Sequence, residues 1–301
     1  LPDDALLEYH AVEPSAAADL LESFLADAGR NVHATVHREP VETHDPVGPF
    51  DLVVCANVLS ELDEPATVVS DLLEDLASDG TLLAIAPADR NTAIGLREVE
   101  RAVEARTGAT VYAPTCRLWP GETPASTCWS FDRKPDIATP AFQRRLDEAG
   151  AGDGEFVNAD VQFAFSLLRT DGETRVTVRP SADRFAKMAA MGDHVTDRID
   201  LLAIKLSHDL AGEAAEGGDE DGGDAPSGGR DRNPLYLVGD GSEQVDHVAV
   251  CTEATGLNED LQTAAYGQAL VVEGALVLWN DDEGAYNLVV DGETVVDAVP
   301  Q

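Results

Sequence analysis

Lysine is nearly absent from this sequence: only three of its 20 basic residues are lysines, against 57 acidic residues. The four cysteines are scattered with no CxxC pair, which argues against a disulfide framework and fits a reducing cytoplasm. No apolar run approaches the roughly 20 residues that span a bilayer, and no basic segment followed by an apolar one opens the chain. We therefore expect a cytoplasmic protein with no signal peptide and no membrane partner.

The acidic excess leaves a formal net charge of −37. Such a surface suits molar salt, where a Debye length of about 3 Å screens the repulsion between carboxylates. The composition resembles that of proteins from salt-in halophilic archaea. Aliphatic residues recur with strand and helix periods, which argues against a disordered acidic chain.

Strand and helix signals alternate through the first half of the chain. This alternation predicts right-handed βαβ units and an α/β fold with a doubly wound, Rossmann-like sheet. The apolar run Phe50–Ala56 is typical of a strand buried on both faces. We predict a first domain over residues 1–210, a disordered acidic linker over 211–233 and a small C-terminal all-β domain over 234–301.

In open α/β sheets, ligands bind beyond the carboxyl ends of the strands. Glu13 follows the first predicted strand, where a carboxylate can accept hydrogen bonds from both hydroxyls of a ribose. The same residue could instead serve as a charge at a helix N-terminus, worth about 0.3–1 kcal/mol. Glu13 alone does not decide between these two interpretations.

The segment FDLVVCANVLSEL (50–62) resembles the fourth motif of class I S-adenosylmethionine (SAM) methyltransferases, and SDGTLLAIAPAD (78–89) resembles the next motif. With EYHAVEPS before them, the order and spacing agree over about 90 residues. The resemblance implies SAM as the cofactor and Asn57 and Glu61 as catalytic candidates beside the methyl acceptor, with Ser60 next to them. The cofactor-binding residues that it implies are Glu13, Pro14, Glu39, Cys55, Ala56 and Asn57.

The family places a Gly-rich loop about 20 residues before its ribose-binding acid, because only glycine lets the backbone approach the cofactor. Counting back from Glu13 puts that loop before residue 1. Either the sequence is a fragment or the protein binds SAM poorly. The missing initiator methionine favours a fragment that lacks its N-terminus.

Four further segments, ANVLSELDEP, IGLREVERAV, YAPTCRLWPG…CWSFDR and FAFSLLRTDG, resemble in order a methyltransferase-like family associated with the small ribosomal subunit. Its members include mitochondrial ribosome-assembly factors, and the likeness covers roughly residues 9–170. The resemblance implies that the protein contacts the small ribosomal subunit or its RNA.

Many members of this family carry a cysteine cluster that holds a metal or an iron–sulfur centre. Cys116 and Cys128 lie at two matching places, but Leu118 replaces the expected histidine and two thiolates cannot close a tetrahedral site. No spacing places a histidine beside them. We therefore expect no metal. The histidines that could in principle add ligands are His10, His33, His37, His44 and His194.

Arg169, Arg175 and Arg179 lie on one predicted hairpin and are the candidates for contact with RNA phosphates. Pairing of these arginines with nearby carboxylates is an equally good interpretation.

Two functions remain open: a methyltransferase that acts in translation on ribosomal RNA or a ribosomal protein, and a catalytically weak assembly factor that binds the small subunit. A nucleotide-dependent oxidoreductase is disfavoured, because no catalytic Tyr/Lys or Ser pair follows the fourth strand.

Overall fold

The structure is a computed structural model that describes residues 5–126, 129–150, 152, 154, 157, 160–211 and 232–300. Cys128 and most of the predicted linker lie outside the described residues. In the part of the chain that is described, no helix has the length and apolar character that crossing a bilayer requires.

The first half contains seven strands and four helices in the described ranges. α3 shows how local sequence sets these bounds: the carboxylate of Asp89 accepts a hydrogen bond from Thr92 N (3.0 Å) at its start, and Gly108 ends it with a left-handed φ of 70°. The elements are β1 (Leu7–Val12), α1 (Ala17–Leu25), β2 (Val32–His37), β3 (Phe50–Ala56), α2 (Pro65–Glu74), β4 (Leu76–Pro87), α3 (Arg90–Thr107), β5 (Thr110–Ala113), β6 (Asp132–Lys134), α4 (Ala141–Ala149) and β7 (Val161–Arg169).

These strands form two separate sheets. β1 and β2 make a parallel two-stranded sheet, whereas the second sheet runs in the order β3-β4-β7-β5 with β6 beside β7. In the second sheet only β3 and β4 are parallel, and β7 is antiparallel to β4, β5 and β6.

The predicted doubly wound, Rossmann-like sheet is therefore wrong. Two short parallel pairs lie in different sheets, and the second pair continues into antiparallel strands. The period of apolar residues identifies strands and helices but not which strands pair. β7 follows an irregular segment and the short helix α4 rather than a simple crossover helix, and it returns antiparallel.

The second half is a closed barrel with mixed strand directions. The strands pair in the order β12-β10-β9-β8-β11, β11 pairs again with β12 to close the ring, and β13 adds to β11. β8 precedes the predicted linker, yet it pairs with strands that follow it. The elements are β8 (Arg198–Lys205), β9 (Leu235–Gly239), β10 (His247–Cys251), α5 (Asp260–Thr263), β11 (Ala269–Asn280), β12 (Ala285–Val290) and β13 (Val295–Ala298).

The loop after β5 packs against the barrel and forms a hydrogen bond with it, and so connects the first half to the second. Leu118 is fully buried in a cluster with Leu202 and Ile204 of β8, and Trp119 Nε1 donates a hydrogen bond to Asp240 Oδ2 (2.6 Å). A Cβ at Gly241, whose φ is 87°, would lie 1.9 Å from the carbonyl oxygen of Cys116. Only glycine allows this close approach of the two backbones.

Candidate functional site

A cleft of about 550 Å³ opens at the carboxyl ends of the parallel strands β3 and β4. Asn57 directly follows β3 with a φ of 55°, and its N–H donates to Ile85 O of β4 (2.8 Å). Asparagine tolerates this left-handed conformation better than most residues, so the chain can turn sharply out of the sheet here. The start of α2 and the first turns of α3 form the other walls.

The cleft is acidic. Asp63, Glu64 and Glu98 contribute carboxylates, and among the described residues that line it there is no lysine, arginine or histidine. Asn57, Ser60 and Asn91 add neutral hydrogen-bonding groups. Such a lining favours a cationic or neutral ligand over a phosphorylated one.

Of the six predicted cofactor-binding residues, only Asn57 lines the cleft. Glu13 accepts a hydrogen bond from Ser15 N (2.8 Å), and the hydrogen bonds from Ser15 lower the pKa of the Glu13 carboxyl. It therefore stabilises the turn that leads into α1, and Pro14 is exposed in that turn.

The other three residues lie elsewhere. Glu39 Oε1 is 2.8 Å from His44 Nδ1, in a loop after β2. Cys55 is buried in the core of the β3-β4-β7-β5 sheet, where burial raises the pKa of its thiol to about 11, and Ala56 is exposed outside the cleft. The structure thus does not bring the six residues together in one cleft.

The two catalytic candidates are also separated. Asn57 lines the cleft and so does Ser60, but Glu61 is exposed and is not among the lining residues. The sequence analysis does not predict three other residues of the cleft. Asp63 and Glu64 follow Glu61 in the chain, and Gly95 lies on α3. The N-capping pattern at Asp89 predicts where α3 begins, and it could have placed the first turns of α3 beside the cleft.

The three candidate RNA-binding arginines do not form one hairpin face, because residues 175–178 form no strand. Arg169 makes an ion pair with Asp171 and lies 5.5 Å from the ring centre of Tyr112. Arg179 Nη1 donates to the carbonyl of Val176 (2.8 Å), and Arg175 is exposed. Internal partners thus occupy two of the three guanidinium groups.

Residues 189–299, which include the barrel, match the family described as "Domain of unknown function (DUF8157) C-terminal domain". The chain is also similar to a solved structure described as "a functionally unknown protein from Deinococcus radiodurans R1". That match has 18% identity and a TM-score of 0.28, and it covers 55% of this chain and 79% of the other. No curated protein matches the chain. Both this family and this solved structure are described as being of unknown function.

Proposed function

We propose that this protein is a SAM-dependent methyltransferase of the translation apparatus, which acts on small-subunit ribosomal RNA or a ribosomal protein. The observation that carries the proposal is the acidic cleft at the carboxyl ends of β3 and β4, which Asn57 lines. The resemblance of residues 50–62 and 78–89 to two methyltransferase motifs supports it, since both segments contribute residues to this cleft.

The charge of the cleft suits the sulfonium of SAM. A carboxylate and a cation about 4 Å apart attract each other by roughly 4 kcal/mol at an effective dielectric constant near 20. The carboxylates of Asp63 and Glu64 repel the phosphates of dinucleotide cofactors by the same reasoning. In molar salt this discrimination acts only over short distances, because the Debye length is about 3 Å.

When bound, SAM would supply an electrophilic methyl group to an acceptor nucleophile and would leave as the neutral thioether. The task of the protein is to align the acceptor and to exclude water. Asp63 and Glu64 stabilise the cationic ground state more than the neutral thioether product, so they favour SAM binding and product release rather than the rate of transfer.

Gly95 offers a direct test, because it lines the cleft and a Cβ there would meet no atom within 4 Å. We expect Gly95→Leu to occupy the ligand's space and to weaken SAM binding by about 10-fold or more, equivalent to about 1.4 kcal/mol. Calorimetric titration of SAM into the protein in about 2–3 M KCl, where surface charge is screened, measures this.

Gly95→Ala is the matched control: it adds one methyl group, improves helix propensity by about 1 kcal/mol and should leave SAM binding close to that of the unmodified protein. Asp63→Asn should weaken binding of SAM more than that of neutral S-adenosylhomocysteine. The proposal fails if the unmodified protein does not bind SAM, or if Gly95→Leu binds it normally.

A second candidate function is that of a small-subunit assembly factor without methyl transfer. The placement of Glu13 and Glu39 outside the cleft favours it, because the structure leaves no acid from the β1–β2 pair to hold a ribose there. Absence of SAM binding together with co-sedimentation with 30S particles would support this function.

A further inference from the structure

Histidines gather on one face of the β1–β2 pair. Alternate residues of a strand share a face, and the parallel register pairs His10 with Thr35 and Val12 with His37. His10 and His37 therefore lie side by side on one face. His10 Nδ1 is 3.1 Å from His37 Nε2, and their rings stack with centres 5.4 Å apart.

The loop after β2 brings two more potential ligands to this face. The centres of the His37 and His44 rings are 4.4 Å apart, and His44 Nδ1 lies 2.8 Å from Glu39 Oε1. His37, Glu39 and His44 each offer one potential ligand atom, and these three atoms all lie within 4.8 Å of one another. The His44 side chain is only 8% exposed.

We propose that His37, Glu39 and His44 bind one zinc-class divalent cation, with His10 as the fourth ligand. Imidazole nitrogens and a carboxylate oxygen suit Zn²⁺, and zinc–ligand bonds of about 2.0–2.2 Å place tetrahedral donors roughly 3.3 Å apart. The donors of His10 with His37 and of His44 with Glu39 are already at or inside that separation. The donor atoms of His37, Glu39 and His44 lie within 4.8 Å of one another, so loading requires side-chain rotations that bring these three donors and His10 around one centre.

An apolar ring also stands beside the imidazoles. The ring of Phe50 contacts His10 edge-on with centres 5.6 Å apart, so one side of the cluster is shielded by an apolar group.

Four protein ligands leave no open position, which is typical of a structural rather than a catalytic zinc site. The cation would tie β1, β2 and the loop at residues 38–44 together, and the contact with Phe50 extends this to the start of β3. None of the four ligands lines the acidic cleft, so the site is independent of methyl transfer.

The test is a Co²⁺ titration of chelator-treated protein in about 2–3 M KCl with excess Mg²⁺, which prefers oxygen ligands and occupies surface carboxylates. We expect one equivalent of Co²⁺ to give the intense visible absorption of four-coordinate cobalt, Zn²⁺ to displace it, and the thermal midpoint to rise on loading.

His37→Gln and His44→Gln should each weaken metal binding by about 100-fold or more, since even second-shell substitutions cost about 10–100-fold. His33→Gln is the matched control, because His33 lies exposed on the same strand outside the cluster, and it should bind like the unmodified protein. The far-ultraviolet circular dichroism of each variant shows whether it is folded. Absence of a one-equivalent site, six-coordinate cobalt absorption, or equal weakening by His33→Gln would overturn the proposal.

Discussion

At the scale of single residues, a buried carboxyl pair stands at the junction between the two halves. Glu243 Oε2 accepts hydrogen bonds from Asp240 N (3.1 Å) and Gly241 N (2.7 Å). Asp240 in turn accepts from Trp119 Nε1 and from Met188 N. Burial, with the charge of Asp240 beside it, raises the pKa of Glu243 to about 7.

This raised pKa makes stability depend on pH. Between about 4.5 and about 7 the folded protein retains a proton on Glu243 that the unfolded chain releases. The free energy of unfolding therefore falls as pH rises through that window, and the loss is complete above the folded pKa. Glu243→Gln cannot ionise, so we expect its free energy of unfolding to rise relative to that of the unmodified protein by roughly 3 kcal/mol between the acid and the alkaline end of this window.

Chemical denaturation at several pH values in constant KCl measures this difference. Glu283→Gln, an exposed substitution in the same barrel, should follow the profile of the unmodified protein. Parallel profiles for Glu243→Gln and the unmodified protein would contradict the prediction.

At the scale of elements, α3 is held to its neighbours by a buried ion cluster around Glu100, whose side chain is only 4% exposed. Arg97 Nη1 and Arg117 Nη1 lie 2.6 Å and 3.1 Å from its carboxylate oxygens. Ser166 Oγ of β7 donates to the same carboxylate (2.8 Å). One carboxylate thus joins the helix, the sheet and the loop that leads to the barrel.

Glu100→Ala should destabilise the protein by about 3–5 kcal/mol, because it leaves the guanidinium of Arg97 without its carboxylate and Ser166 Oγ without its acceptor, whereas Arg117 keeps its ion pair with Glu104. Glu98→Ala removes an exposed carboxylate two residues away on the same helix and should change stability by about 0.5 kcal/mol or less. Urea unfolding at fixed ionic strength compares the two variants. A loss below about 1 kcal/mol for Glu100→Ala would mean that water, not the cluster, solvates these arginines.

The elements themselves could be predicted from the sequence better than their arrangement could. The Asp89 cap and Gly108 mark the bounds of α3 in the sequence. The sequence predicts that β3 is buried on both faces, but β3 lies at a sheet edge, where Leu52 is 57% and Val54 is 52% exposed. An apolar run indicates a strand, but its position in a sheet depends on distant partners.

The candidate sites also contain features that the sequence predicts and features that it does not. Asn57 could be predicted to lie at the cleft, because the segment 50–62 resembles a methyltransferase motif whose loop follows a strand, at the sheet edge where ligands bind. The histidine cluster could not be predicted, since it needs the parallel register of β1 with β2 and the course of the segment 38–49 that connects β2 to β3. The spacing of residues along the chain specifies neither the strand register nor the course of this segment.

At the scale of the whole molecule, acidic charge exceeds what the ion pairs can neutralise. The chain has 57 acidic and 20 basic residues, and several of the arginines are engaged in buried or half-buried pairs such as those of Arg97, Arg117 and Arg169. The remaining carboxylates repel one another, and this repulsion favours an expanded chain. We therefore expect the stability of the fold to depend on screening by salt.

We expect the thermal midpoint to fall when KCl is reduced from about 3 M to about 0.1 M, because the Debye length then grows from less than 3 Å to about 10 Å. A loss of a few kcal/mol in the free energy of unfolding corresponds to roughly 10 °C in the thermal midpoint for a chain of this size.

Sucrose is the control for this experiment. It stabilises compact states because it is excluded from protein surfaces, but it carries no charge and therefore does not screen the carboxylates. Added at 0.1 M KCl, sucrose should restore only part of the lost midpoint, whereas NaCl at about 3 M should restore most of it. Thermal unfolding followed by circular dichroism measures the midpoint with each addition. Equal restoration by sucrose would show that carboxylate repulsion is not what destabilises the protein at low salt.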